Sequence, residues 1–207
     1  MLNKYSELDE YSLDALRELG NIGTGNAISS LSSMTGRLID MEIPTIRIIP
    51  FQDAPTLVGG AETIKAGILL NVSGDLSGTF MFLLNKDFTS ILLKELLDYA
   101  PESIDDLDEM GLSALGEIGN IMCCSYINAL SKMLDMNINI TVPSVCCDMA
   151  GALLSIPMIE FANRGDELMF IENRFKFDDI SFISHILFLP DIASLNVLLT
   201  TLGLTHE

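Results

Sequence analysis

Apolar residues recur with a helical period near the start of the chain. At about one hundred degrees per residue, Leu13, Leu16, Leu19, Ala27, Leu31 and Met34 fall on one broad face. Asp14, Glu18, Asn21, Gly25 and Ser32 fall on the opposite one. The pattern then changes. Residues 45–49 read as a strand, with Pro44 at its entrance, where a missing amide is tolerated. Residues 50–60 read as a loop. Two apolar runs at 64–72 and 79–84 enclose Ser73-Gly74-Asp75-Leu76-Ser77-Gly78, a hairpin signal. A short amphipathic helix at 88–97 closes a unit of helix, strand, hairpin and helix.

The same unit is then written a second time. Leu13-Asp14-Ala15-Leu16-Arg17-Glu18-Leu19-Gly20-Asn21-Ile22 returns 99 positions later as Leu112-Ser113-Ala114-Leu115-Gly116-Glu117-Ile118-Gly119-Asn120-Ile121. Between 13 and 44, thirteen of thirty-two aligned positions are identical without a gap, where chance at ordinary residue frequencies gives about two. In the second half, 138–145 matches the first strand and 148–154 can begin an extra helix. A second hairpin, 168–177 with 181–189, turns around Asp178-Asp179, and 192–202 is the closing helix. Aligning the closing helices moves the offset from 99 to 106, so about seven residues are inserted on the way. The acidic stretch 99–110 contains no Lys or Arg and forms the seam. The expected fold is α/β (α+β): a pseudo-two-fold repeat of helix–strand–hairpin–helix units sharing one continuous sheet. We expect one domain over 1–207, made of repeats at about 5–100 and 104–207.

Composition narrows the function. With 49% hydrophobic residues in 207, the chain can bury a sizeable core. Eleven basic against twenty-nine acidic residues give −18, which argues against nucleic acid and against an anionic membrane surface. The polar start is unlike a signal peptide, and no run reaches eighteen apolar residues, so a soluble cytoplasmic protein without membrane insertion is expected. Cys123-Cys124 and Cys146-Cys147 are vicinal pairs without zinc-site spacing, and read as reduced thiols in core or helix positions. With only His185 and His206, no Ser–His or Cys–His nucleophile assembles. The glycine-rich run 20–25 lacks the Lys and the preceding strand of a nucleotide loop.

What stands out is the polar stripe. Glu and Asn three apart are neighbours on a helix surface. For one such pair a solvated face is the ordinary explanation, but drifting solvent positions have no reason to agree between two copies. The glycines carry two readings. Gly20 and Gly119 can let a neighbouring element approach, while Gly25, opposite Cys124 in the alignment, would give clearance to a partner docking over the pair.

Asp14-Glu18-Asn21-Pro44 and Ser113-Glu117-Asn120-Pro143, with identical spacing, resemble the double signature of the CheC/CheX/FliY chemotaxis phosphatases. The resemblance spans nearly the whole chain and has the layout of the two-site members. It implies hydrolysis of the phospho-aspartate on a phosphorylated CheY-type response regulator. Asn21 and Asn120 would orient the attacking water, since an amide both accepts and donates hydrogen bonds. Glu18 and Glu117 would pair with the regulator's active-site lysine. Phosphoryl transfer needs mainly positioning and charge stabilisation, and the divalent metal (Mg) would come from the regulator, so the chain needs no cofactor of its own. Asp14 and Ser113 would support docking or helix capping, and Pro44 and Pro143 would be structural. The family also implies binding of the receptor deamidase CheD around Asp148, in the 143–154 segment. Internal pseudo-symmetry suggests a monomer. The competing reading is a non-catalytic adaptor for CheD or CheY, and a flagellar switch subunit would require a further domain.

Overall fold

The structure, a computed structural model, describes residues 1–98, 103–104, 107–161, 167–177 and 180–204. Two long helices, α1 (Glu10–Thr35) and α4 (Glu109–Leu134), carry the repeated signature. Each starts on an aspartate that accepts a backbone N–H at 2.8 Å: Asp9 from Ser12 and Asp108 from Gly111. Such a cap satisfies one of the free donors of the first turn and contributes about 1 kcal/mol. These caps are 99 positions apart, so the repeat begins four residues before Leu13. Each helix ends on a left-handed residue, Gly36 (φ 66°) or Asp135 (φ 52°). The three glycines within α1 do not interrupt it.

The strands are β1 (Ile39–Met41), β2 (Thr45–Pro50), β3 (Ile64–Gly74), β4 (Gly78–Leu84), β5 (Ile138–Ile140), β6 (Ser144–Met149), β7 (Glu167–Phe177) and β8 (Ile180–Pro190). They form one sheet in the order β1-β7-β8-β4-β3-β5, with β2 also pairing β7 and β6 also pairing β3. All of these pairings are antiparallel. The expected continuous sheet is present, and its connectivity is exchanged. Strands β1 and β2 of the first repeat pair with the second repeat's β7, while β5 and β6 pair with the first repeat's β3. At the centre β4 pairs β8, with Phe80 opposite Phe188.

Three expectations change. The strand expected at 138–145 is two strands, broken at 141–143, because Pro143 offers no N–H to a ladder. The first copy breaks in the same way at 42–44, before Pro44. The loop at 50–60 contains a 3-10 turn at 51–53 and a one-turn helix, α2 (Ala54–Leu57). The extra helix is real, as α5 (Ala150–Phe161), but Asp148 does not open it: that residue lies in β6, opposite Lys65. Helices α3 (Lys86–Leu97) and α6 (Ile192–Thr201), capped by Asn85 and Asp191, close the two units 106 positions apart. Strands β3 and β7 are both 11 residues long and begin 103 apart, so the insertion accumulates partly before β7 and partly after it. The tip at 178–179, and residues 99–102 and 105–106 of the seam, lie outside the described residues.

Both faces of the sheet are covered. In β4, Phe80, Phe82 and Leu84 belong to the main core with α1, α3, α4 and α6, whereas Met81 and Leu83 face a smaller core with α2 and α5. That alternation is the two-residue period of a strand buried on both sides.

Candidate functional site

Three packing contacts fix which face of each signature helix remains free. Toward the sheet, a Cβ on Gly119 would come within 2.6 Å of Ile68 Cγ2, and one on Gly20 within 3.3 Å of Ile46 Cδ1. Glycine at both positions lets the helices sit close to β3 and β2. Between the helices, a Cβ on Gly23 would lie 2.5 Å from the Tyr126 ring, and Ser30 Oγ and Ser125 Oγ share a hydrogen bond at 2.7 Å. Tyr126 is fully buried there, and burial raises its hydroxyl pKa.

The remaining face presents the predicted residues. Glu18 and Glu117 are exposed, and Asn21 and Asn120 are half-buried, so the two copies match in accessibility. Neither glutamate takes part in an ion pair or hydrogen bond among the described residues, which leaves both carboxylates available to a cation. The chain leaving each helix returns past this face at the proline. In the second copy, Ser113, Gly116, Glu117, Asn120, Val142, Pro143 and Val145 surround an open depression of about 530 Å³. Pro44 is buried and Pro143 half-buried. A Cβ at Gly25 would meet nothing within 4 Å, so that face is open one turn beyond Asn21.

The neighbours of the two pairs differ. Asp14 accepts an ion-paired hydrogen bond from Arg17 at 2.5 Å. Ser113 faces Gly116 at the same spacing and has no such partner. The Cys124 thiol donates to Asn120 Oδ1 at 3.7 Å. Gly25 supplies nothing equivalent, and the Asn21 side chain has no hydrogen-bond partner among the described residues.

Several expectations need correction. Asp14 and Ser113 do not cap their helices, because Asp9 and Asp108 do. Ser32 and Ser131, grouped with the polar face in the helical pattern, serve the fold. They tie down the exit turns, Ser32 Oγ accepting from Ile39 N–H at 3.1 Å and Ser131 Oγ donating to Met136 C=O at 2.5 Å. All four cysteines are free thiols: Cys123 is buried, with its pKa raised chiefly by burial, while Cys146 is exposed and so not a core residue. Asp148 is exposed at the end of β6, where its Oδ1 accepts from Met149 N–H at 2.7 Å. His185 is buried in β8, its pKa lowered to about 4 first by desolvation and then by the Lys65 charge, with Glu172 opposing. His206 lies outside the described residues. Among the described residues, no group of three His, Cys, Asp or Glu could hold a metal ion. No helix among them is long and apolar enough to cross a membrane.

One feature of this surface was missed in the sequence pattern. Tyr11 and Met110, and likewise Ile43 and Val142, are 99 positions apart, large, apolar and exposed. Ile43 and Val142 lie within the aligned stretch but are not identical, and Tyr11 and Met110 lie two positions before it.

Similarity to known proteins coincides with this surface. The model of the CheC-like family matches residues 12–48 and again 110–146, each segment carrying one signature. The chain is 33% identical over 204 residues to the CheY-P phosphatase CheC of Bacillus subtilis, covering 96% of this chain and 97% of that one. It is 25% identical over 140 residues to the flagellar motor switch phosphatase FliY of Bacillus subtilis, covering 67% of this chain and 36% of the relative. In fold it resembles Thermotoga maritima FliY, with a TM-score of 0.75 at 22% identity over 95% of this chain and 98% of that one.

Proposed function

This chain belongs to the CheC-like family, and from that premise we propose that it is a hydrolase acting on the phospho-aspartate of a phosphorylated CheY-type response regulator. The observation that carries this reading is the duplication itself. Two exposed carboxylates, without partners among the described residues, each stand three residues before a half-buried carboxamide, on helix faces that packing leaves free. Neither pair contains a hydroxyl, thiol or imidazole nucleophile. Each can hold a water, because an amide accepts and donates at once.

In this mechanism Asn21 or Asn120 enters the regulator's site and aligns water with the phosphorus, a contribution of several kcal/mol by positioning. Glu18 or Glu117 meets the regulator's lysine, which fixes the approach angle. The regulator would supply a divalent metal, whose charge would offset that of the phosphoryl group. Pro44 and Pro143 shape the returning chain beside each pair, and Asp14 and Ser113 border it. The exchanged strands support reading the two repeats as one folding unit, in which a second copy is unnecessary.

A second partner is part of the proposal. Met149, which follows Asp148, and the residues Ile156 and Ile159 of the helix that starts at Ala150 expose apolar surface at 46%, 39% and 74%. We place the docking of the deamidase CheD there. Asp148→Lys should abolish CheD capture in a pull-down without changing phosphate release. Retained capture would reject that assignment.

Phosphate release from a phosphorylated CheY-type receiver tests the main reading, using wild type, Asn21→Ala, Asn120→Ala and the double variant. Each single variant should retain acceleration and the double should lose it while still binding the receiver. A wild type that binds but accelerates nothing would instead support the adaptor.

A further inference from the structure

Large hydrophobic side chains exposed on a folded surface are individually ordinary. Here two positions are exposed in both repeats. Tyr11 is 79% exposed and its counterpart Met110 52%; Ile43 is 73% exposed and its counterpart Val142 87%. Among the described residues, the other exposed large hydrophobics have no equally exposed large apolar counterpart at the repeat offset. Exposure repeated by position asks for a cause common to both copies.

Both positions adjoin the Glu–Asn pairs. Tyr11 precedes Glu18 by seven residues, as Met110 precedes Glu117. Seven residues are two turns with a drift of about 20°, so each lies on the same helical stripe as its glutamate. Val142 lines the depression shared by Glu117, Asn120 and Pro143. Ile43 holds the equivalent place before Pro44. Each polar pair therefore lies between an apolar side chain at the helix start and a β-branched one on the returning chain. Interfaces concentrate their affinity in a few such anchors surrounding a region from which water is excluded, and excluding water would strengthen the glutamate–lysine contact.

We propose that Tyr11 with Ile43, and Met110 with Val142, are the apolar anchors on which the phosphorylated receiver docks at the first and second site. The inference rests on the function proposed above and assigns it an affinity determinant separate from the chemistry. The receiver is the occupant because Tyr11 and Met110 share a helical stripe with the glutamates, and Val142 shares a depression with Glu117 and Asn120, of the pairs that would enter its active site. They occur twice on one chain, as a monovalent partner of a two-site enzyme requires.

Steady-state dephosphorylation of a phosphorylated CheY-type receiver decides the matter. Tyr11→Ser/Ile43→Ser/Met110→Ser/Val142→Ser should raise KM at least tenfold and leave kcat within twofold, because the Glu–Asn pairs are intact. The conservative Ile43→Val/Val142→Ile should keep KM within twofold. An unchanged KM in the fourfold variant overturns the proposal, as does a wild type whose self-association, measured by sedimentation, is what the substitutions abolish. Variants altering one site at a time, each in the background lacking the other site's Asn, give the same test with fewer changes should the fourfold variant unfold. Asn21→Ala/Asn120→Ala in parallel separates the two claims. If that variant kept full kcat, the catalytic reading would fail, whereas receiver affinity would still report on the anchors.

Discussion

The first and second Glu–Asn sites have the same backbone and different surroundings. At the first, Arg17 neutralises Asp14 on the rim, and Gly25 leaves the Asn21 carboxamide without a neighbour one turn on. At the second, Ser113 and Gly116 leave the rim uncharged, while the Cys124 thiol holds one edge of Asn120. The members that stayed alike include the glutamate, the asparagine, the proline and the apolar flanks. Those that diverged around them are Asp14 against Ser113, Arg17 against Gly116 and Gly25 against Cys124. In the proposed function this is what duplication followed by drift would leave: the atoms needed for water positioning kept in both copies, and the rate of each site free to vary. The sheet repeats the lesson in its interior. Leu69 opposite Met81 in β3–β4 corresponds to Glu172 opposite His185 in β7–β8, so an apolar pair has become a titratable one.

The strongest test of the comparison separates glycines that pack from the glycine that clears. Gly119→Leu should destabilise by about 3 kcal/mol, since its side chain would enter Ile68 and overpacking a rigid core has that scale. Gly25→Leu should leave the urea midpoint nearly unchanged and raise KM for the receiver. Equal destabilisation of the two variants would refute the assignment of Gly25 to docking.

The titratable pair in β7–β8 gives the next effect. His185 has a folded pKa near 4, below the usual 6.5, so the unfolded chain binds the extra proton between those values. This contribution to stability is therefore full above about pH 6.5 and declines as pH falls toward 4, by an amount on the order of 3 kcal/mol. Replacing His185 by Met, the residue at the equivalent β4 position, should flatten that part of a urea-stability profile. A slope that persists would move its origin to the carboxylates.

Smaller still is a chemical dissection of the sites. Alkylating the half-exposed Cys124 puts bulk one turn from Asn120. In an Asn21→Ala background it should lower phosphate release at least tenfold. In an Asn120→Ala background it should change little, and Cys124→Ala should abolish the sensitivity. Inhibition in both backgrounds would show that the modified thiol acts elsewhere, with the exposed Cys146 the first suspect. The least effect expected is that of Gly25→Ala, which should stabilise α1 by under about 1 kcal/mol through helix propensity, visible as a small rise in Tm.

Much of this was legible in the linear chain. The helical period placed Glu18 and Asn21 away from Leu16 and Leu19, and the 99-residue offset reproduced that placement at Glu117 and Asn120, because helix geometry is local and each helix is long enough to express it. The hairpins at 64–84 and 168–189 were legible for the same reason, since alternation and turn residues are neighbours in sequence. The helix caps were also present, as Asp9-Glu10 and Asp108-Glu109, but lay outside the stretch compared.

Sequence alone therefore determined the long helices, the hairpins, the repeat and the positions of the polar pairs. Only the tertiary structure decided how the repeats interlock, because strand partners are chosen by long-range pairing and burial that no local pattern encodes. It alone assigned Gly23 to Tyr126 and Gly119 to Ile68, gave Ser32 and Ser131 to the exit turns, and left Gly25 open. These distinctions depend on what lies across a gap from each residue, and the residues facing one another there are far apart along the chain.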